Sequence, residues 1–228
     1  LLPHTFTLAN LEQLFAVTNY STFLVNSIII GLGAVFLTTS LATIGGYGLT
    51  LSRFKGQKAM ARTLLFVYMF PPILIGIPLY RLFYQLDLLN SRITLILAHT
   101  ALGLPFAMWL MWQFFQTVPY SLEESAMVGG SSRFRAFVDI ALPLAKPGMI
   151  AIAIFSFAIA WGAFTIPSVL IINNSKWVLV QGLFNFTVQE SVQWGQLMAA
   201  CTIMILPTVL FVYYLQKYIL RGFEASRL

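Results

Sequence analysis

His99 is the only ionisable side chain between residues 93 and 114 of this 228-residue chain. An imidazole there can hydrogen-bond a hydroxyl of a passing solute, or sit neutral and buried against a backbone carbonyl. Asn26, Gln113, Trp161 and Phe164 pose the same choice in other apolar runs. Aromatic faces stack well on sugar rings, but Trp and Phe are also ordinary packing and anchoring residues in membrane helices. No Gly-x-x-x-x-Gly-Lys-Ser/Thr loop is present, so ATP would have to be handled by another chain. We find no metal-ligand cluster and no convincing nucleophile–base pair. Ser131 and Ser132 follow two glycines, where a turn and a helix cap account for them. Cys201 is the single cysteine, so no internal disulfide forms, and it reads as a small packing residue.

A second group of polar residues stands outside the apolar runs, in the segment Pro119–Pro143. Ser121 with Glu124 three residues later has the spacing of a capping box. Glu123 and Glu124 in a first turn also suit the positive end of a helix dipole. This helix should stop at Gly129-Gly130, where positive φ is permitted. A second short helix should begin near Ser132 and end before Pro143. Helix, tight turn and helix could pass motion from a soluble partner into a bundle, or lie as an amphipathic connector on lipid.

The elements that must position these residues are membrane helices. Hydrophobic residues make up 59% of the chain and charged residues only 9%, far below the roughly 25% charge of soluble domains. Five stretches carry no charge: Gln13–Ser52, Thr63–Tyr80, Ile93–Leu122, Pro147–Ser175 and Ser191–Gln216. Each holds a segment near the ~20 residues a bilayer requires, and the runs do not alternate as β-barrel strands do. An all-α polytopic bundle with five spans is expected, at about residues 22–50, 63–80, 93–114, 148–171 and 197–217. Pro71, Pro72 and Pro78 should kink or interrupt the second. Residues around Asn10 should form a short amphipathic helix capped near Asn10. Trp177, Phe184, Phe186 and Trp194, between the last two spans, suit an interfacial or partner-facing surface.

Basic residues set the orientation. Arg53, Lys55, Lys58, Arg62, Arg133, Arg135, Lys146, Lys217, Arg221 and Arg227 lie on one side, against Arg81, Arg92 and Lys176 on the other. The positive-inside rule then places the C-terminus in the cytoplasm and Leu1 outside. This asymmetry accounts for the net charge of +6 without a nucleic-acid partner. An outside start implies an earlier segment, expected to be one more span.

Glu124-Ser125-Ala126, then Gly130, then Ile140-Ala141-Leu142-Pro143 resembles the EAA motif of binding-protein-dependent ABC importer permeases. The likeness extends along nearly the whole chain, most closely to the second permease of carbohydrate importers of the maltose-transporter type. It includes Asn26-Ser27, Gly46-Tyr47-Gly48-Leu49, Ser52-Arg53-Phe54-Lys55-Gly56, Ile77-Pro78-Leu79-Tyr80, Leu88-Leu89-Asn90-Ser91, Leu104-Pro105-Phe106, Leu215-Gln216-Lys217-Tyr218 and Arg221-Gly222. The resemblance implies a type I ABC importer transmembrane domain over 1–228, with 115–147 as its cytoplasmic coupling loop. It implies that Glu123, Glu124, Ser125, Ala126, Gly130, Ile140, Leu142 and Pro143 form the ATPase-coupling region. Ser125 stands where the family usually has alanine, and Gly129 where aspartate is frequent. Trp161-Gly162-Ala163-Phe164 departs from the common Trp-Asn-Glu-Phe, which suggests an altered path or solute.

The expected function is that of a permease subunit in the bacterial inner membrane, moving a sugar or polyol-like solute. Expected partners are a second homologous permease, two ATP-binding cassette ATPases and an extracytoplasmic solute-binding protein. ATP and magnesium would be used by the ATPases, and no cofactor is expected on this chain. Asn26, His99, Trp161 and Phe164 are the solute-path candidates. An ion-driven carrier is disfavoured by the absence of charged residues well inside the spans. A scaffold that transports nothing and an intramembrane enzyme are the remaining rivals.

Overall fold

The computed structural model describes residues 7–51, 55–188 and 194–225, with side chains as far as Tyr214. Among these residues the secondary structure is helical throughout, with no strand. The basic residues Arg53 and Arg227, the side chains of Lys217 and Arg221, and the motif residues Ser52 and Phe54 lie outside this description.

A short helix α1 (Ala9–Val17) precedes the long α2 (Tyr20–Leu51). The start of α1 differs from expectation: Leu8 holds the cap position without a side-chain bond, and Asn10 is already helical. Helices α3 (Gln57–Tyr68) and α4 (Pro72–Gln85) bend by 90° at the Met69–Pro71 break. The cause is local, because the residue before a proline is driven to extended backbone; Pro71 itself, before Pro72, has ψ 131°. Helix α5 (Arg92–Gln116) crosses without interruption.

Among the described residues three helices, Tyr20–Leu51, Arg92–Gln116 and Trp194–Tyr214, are long and apolar enough to cross a membrane, and the number is up to five when each of two bent pairs is counted as one span. The second pair brings α9 (Lys146–Gly162) against the helical segment that precedes it, at 68°. The fourth span, expected to be continuous to residue 171, ends at Gly162. After Ala163 in extended conformation and Phe164, the chain resumes as α10 (Thr165–Leu170). Pro167 has no N–H to donate to the carbonyl of Ala163, which weakens the helix at that turn and favours the break there. A 3₁₀ turn (Asn174–Lys176), α11 (Leu179–Val188) and α12 (Trp194–Ala225) complete the chain.

The bundle is built around α2 against α5. A Cβ added at Gly46 would lie 2.8 Å from Met111 Cβ and 2.9 Å from the Trp112 nitrogen, so this glycine is what permits the approach. At Gly33 and Gly45 the nearest atoms are the ends of Ile96 and Met108, which can move. Three clusters fill the interior. One joins Leu14, Tyr20, Phe23, Phe157, Trp161 and Leu179, a second Ile30, Phe83, Leu95, Ile166 and Leu170, and a third Tyr47, Met111, Phe115 and Ile152. Phe186, expected on an outer surface, is buried in the first, whereas Phe184 and Trp194 are exposed.

Candidate functional site

Two regions of the structure bring together residues singled out in the sequence. The first is the segment joining α5 to α9, which forms one end of the molecule. Here α6 (Tyr120–Val128) starts directly after Pro119. Pro119 occupies the cap position, so Ser121 is already in the helix and the capping box with Glu124 does not form. The Ser125 hydroxyl instead donates to the Ser121 carbonyl at 2.8 Å. The stop is where expected. Gly130 has φ +91°, its N–H donates to the Met127 carbonyl, and the Ser131 N–H donates to that of Ala126, both at 3.0 Å. That pair of bonds is a Schellman closure.

Ser132 caps α7 (Arg133–Ala136), its hydroxyl accepting from the Arg135 N–H at 3.3 Å. The helix does not end before Pro143. It widens into a π-turn (Phe137–Ala141), where the Leu142 N–H reaches the Phe137 carbonyl, and continues as α8 (Leu142–Leu144). The wider turn accommodates Pro143, which has no N–H for an α-helical bond.

The acids of α6 divide. Glu124, Ser125 and Gly130 are exposed, Ala126, Ile140 and Leu142 are half-buried, and Pro143 is exposed. Glu123 is only 5% exposed, and its Oε2 accepts from the Tyr47 hydroxyl at 2.5 Å. Of the residues grouped as the ATPase-coupling region, Glu123 thus faces α2 and not the outside. Tyr47 also packs its ring on Phe137 at 4.3 Å and on Phe115 at 5.3 Å. Val128 and Phe134 are 90% and 76% exposed, apolar side chains offered on either side of the glycine turn.

The second region is a cavity of about 780 Å³ where both helix breaks meet α5. Val67–Pro72 of the first break, His99, Leu102 and Pro105 of α5, and Gly162–Thr165 of the second break line it. It begins about 10 Å from the start of α5, at a rise of 1.5 Å per residue. Interrupted helices are tolerated at such depth where they border a cavity. The lining is mainly apolar. His99 is 4% exposed, and its Nε2 has no hydrogen-bond partner among the described residues. The carbonyl bond that would make this histidine a mere packing group is absent there.

Of the four solute-path candidates the cavity brings together two, His99 and Phe164. Trp161 is buried, stacks on Phe157 and donates its Nε1 to the Met204 carbonyl at 3.0 Å. Asn26 is fully buried at the opposite end from α6. Its Nδ2 donates to the Ser175 and Trp177 carbonyls at 3.2 and 2.9 Å, and its Oδ1 accepts from Arg92 Nε at 2.8 Å. Neither lines the cavity, and the polar atoms of both are committed within the chain. Asn26→Leu should lower thermal stability by about 1–3 kcal/mol, since it leaves buried partners unpaired; thermal unfolding in detergent measures this. Tyr47 and Tyr68 were missed as site residues. Tyr68 lines the cavity and packs on Phe106, and only its place beside the Pro71 break could have flagged it.

The comparisons with known proteins agree on the kind of molecule. Residues 42–224 match the family model described as binding-protein-dependent transport system inner membrane component. The diacetylchitobiose uptake system permease protein NgcG of Streptomyces coelicolor is 32% identical over 220 residues, 96% of this chain and 73% of that protein. The trehalose/maltose transport system permease protein MalG of Thermococcus litoralis is 29% identical over 211 residues, 92% of this chain and 76% of that one. The fold is shared with a bacterial ABC transporter that imports the acidic polysaccharide alginate, at TM-score 0.81 and 21% identity. That match covers 96% of this chain and 81% of the other. The relatives are permease components rather than catalytic subunits. This chain belongs to the family of inner membrane components of binding-protein-dependent transport systems.

Proposed function

We propose that the chain moves a sugar or polyol-like solute through the cavity between its two broken helices, driven by separate ATPases that dock on the α6–α8 segment. The observation that carries this is the cavity itself. It sits within the bundle, is bounded by both interruptions, and is lined by His99, whose buried Nε2 has no hydrogen-bond partner among the described residues, amid apolar and aromatic walls. Such a lining offers faces to sugar rings and one hydrogen bond to a hydroxyl. Sugars are also the named solutes of the two relatives above.

The exposed face of Glu124, Val128, Gly130 and Phe134 is the docking surface in this reading, and it lies on the cytoplasmic side. The working assembly contains this chain, a second similar permease, two ATPases holding ATP and magnesium, and an extracytoplasmic binding protein. ATP binding draws the docking segments together and shifts the bundle between its two open states.

His99→Leu tests the cavity. Uptake of radiolabelled diacetylchitobiose, trehalose or maltose by the reconstituted assembly should fall ~10-fold or more, with the ATPases still bound, since a polar partner is lost from a buried site. His99→Gln, which keeps a donor and an acceptor, should recover part of it. Unchanged uptake in His99→Leu would remove the cavity from the path.

A further inference from the structure

Helix α2 is bonded at both ends to segments that the function requires, and it contributes nothing to the cavity wall. At one end the Tyr47 hydroxyl donates to buried Glu123 of α6. The Tyr47 ring fills the angle between Phe115, at the end of α5, and Phe137 of the π-turn. At the other end two adjacent residues take hold of the connection between α10 and α11. Asn26 donates to the Ser175 and Trp177 carbonyls. The Ser27 hydroxyl accepts from the Leu179 N–H at 2.8 Å. That connection runs on from α10, whose first residues Thr165 and Ile166 line the cavity.

The rod between these grips is continuous. Residues 20–51 form one helix of 32 residues with no proline, about 48 Å long at 1.5 Å per residue. Of the other long helices, α5 and α12 are continuous but carry Pro105 and Pro207, and the remaining routes pass through a break at Met69–Pro71 or at Ala163–Phe164. An unbroken helix gripped at both ends moves as a unit, whereas a broken one absorbs displacement at its break.

We propose that α2 is the strut that carries the stroke of the docking helix to the opposite face, and that the Tyr47–Glu123 hydrogen bond is its input clamp. Tyr47 is then a positioning residue: it touches neither solute nor ATPase and acts through Glu123. The geometry explains why one acid of the Glu123-Glu124 pair is buried while its neighbour is exposed. Glu124 faces outward, and Glu123 holds the helix to the strut. This inference rests on the proposed function and adds the internal route to it.

The test uses the complete assembly in proteoliposomes, comparing wild type with Tyr47→Phe and Glu123→Gln. Three quantities are read: ATPase retention on the permease, stimulation of ATP hydrolysis by the loaded binding protein, and solute moved per ATP. Tyr47→Phe keeps the ring packing and removes only the donor. We expect the ATPases to stay bound, stimulation to fall ~10-fold, within the 5–150-fold range of typical couplings, and solute per ATP to drop. Glu123→Gln keeps an acceptor oxygen for the hydroxyl and should retain about half or more of the stimulation. A structural role alone would lower thermal stability and leave solute per ATP unchanged; that result overturns the proposal, as does normal stimulation in Tyr47→Phe. Failure of wild type to show ATP-dependent uptake would instead strike the proposed function.

Discussion

Gly130→Pro should abolish ATP-dependent uptake while the membrane helices remain inserted. Gly130 has φ +91°, and proline is confined near −65°. The substitution also deletes the N–H that donates to the Met127 carbonyl and so opens the closure at the end of α6. No atom lies within 4 Å of a Cβ added there, so the effect is one of backbone conformation and not of crowding. Gly130→Ala isolates that term: an L-residue with left-handed backbone costs about 1–2 kcal/mol, and uptake should fall only partly. Proline should bring it below about a tenth of wild type, because the exposed Val128 and Phe134 on either side of the turn lose their relative placement. Uptake by the purified assembly, with membrane insertion checked by protease accessibility, separates the two variants.

Gly46→Val should do the greatest damage to the folded bundle. The added carbon meets Met111 Cβ at 2.8 Å, the Trp112 nitrogen at 2.9 Å and the Met111 carbonyl carbon at 3.1 Å. None of these atoms can swing away, so α2 and α5 must separate along their shared length. Overpacking of this kind costs typically 1–3 kcal/mol and occasionally more. A fall in the melting temperature and in the yield of monodisperse protein is expected. Gly48→Ala, two residues along and with open space around its added carbon, should behave as wild type. Thermal unfolding of the pair in detergent decides whether the close approach or the mere presence of glycine matters.

What the sequence made legible was local in origin. Charge-free length located the spans, adjacent prolines located the break before α4, and the double glycine located the end of α6. The break at Ala163–Phe164 was legible in principle, because Pro167 stands four residues after the carbonyl it cannot serve; one long apolar run concealed it. Ser121 and Glu124 had the right spacing for a cap, but Pro119 started the helix earlier and took the cap position. Facing was not legible. Asn26 and His99 are both polar residues on apolar helices, and only packing shows that one is committed to Ser175, Trp177 and Arg92 while the other lines a cavity. The Tyr47–Glu123 bond joins residues 76 apart in the chain, a separation at which spacing carries no signal.

The central claim is that work done by separate ATPases on the α6–α8 segment moves a solute through the cavity beside His99. Proteoliposomes containing the complete assembly, loaded with ATP or with a non-hydrolysable analogue, test it by the rate of radiolabelled sugar entry in the presence of the binding protein. The account predicts accumulation with ATP alone, insensitive to ionophores that collapse proton and sodium gradients. Accumulation that needs no ATP and disappears with the ionophores would contradict it and identify a gradient-driven carrier.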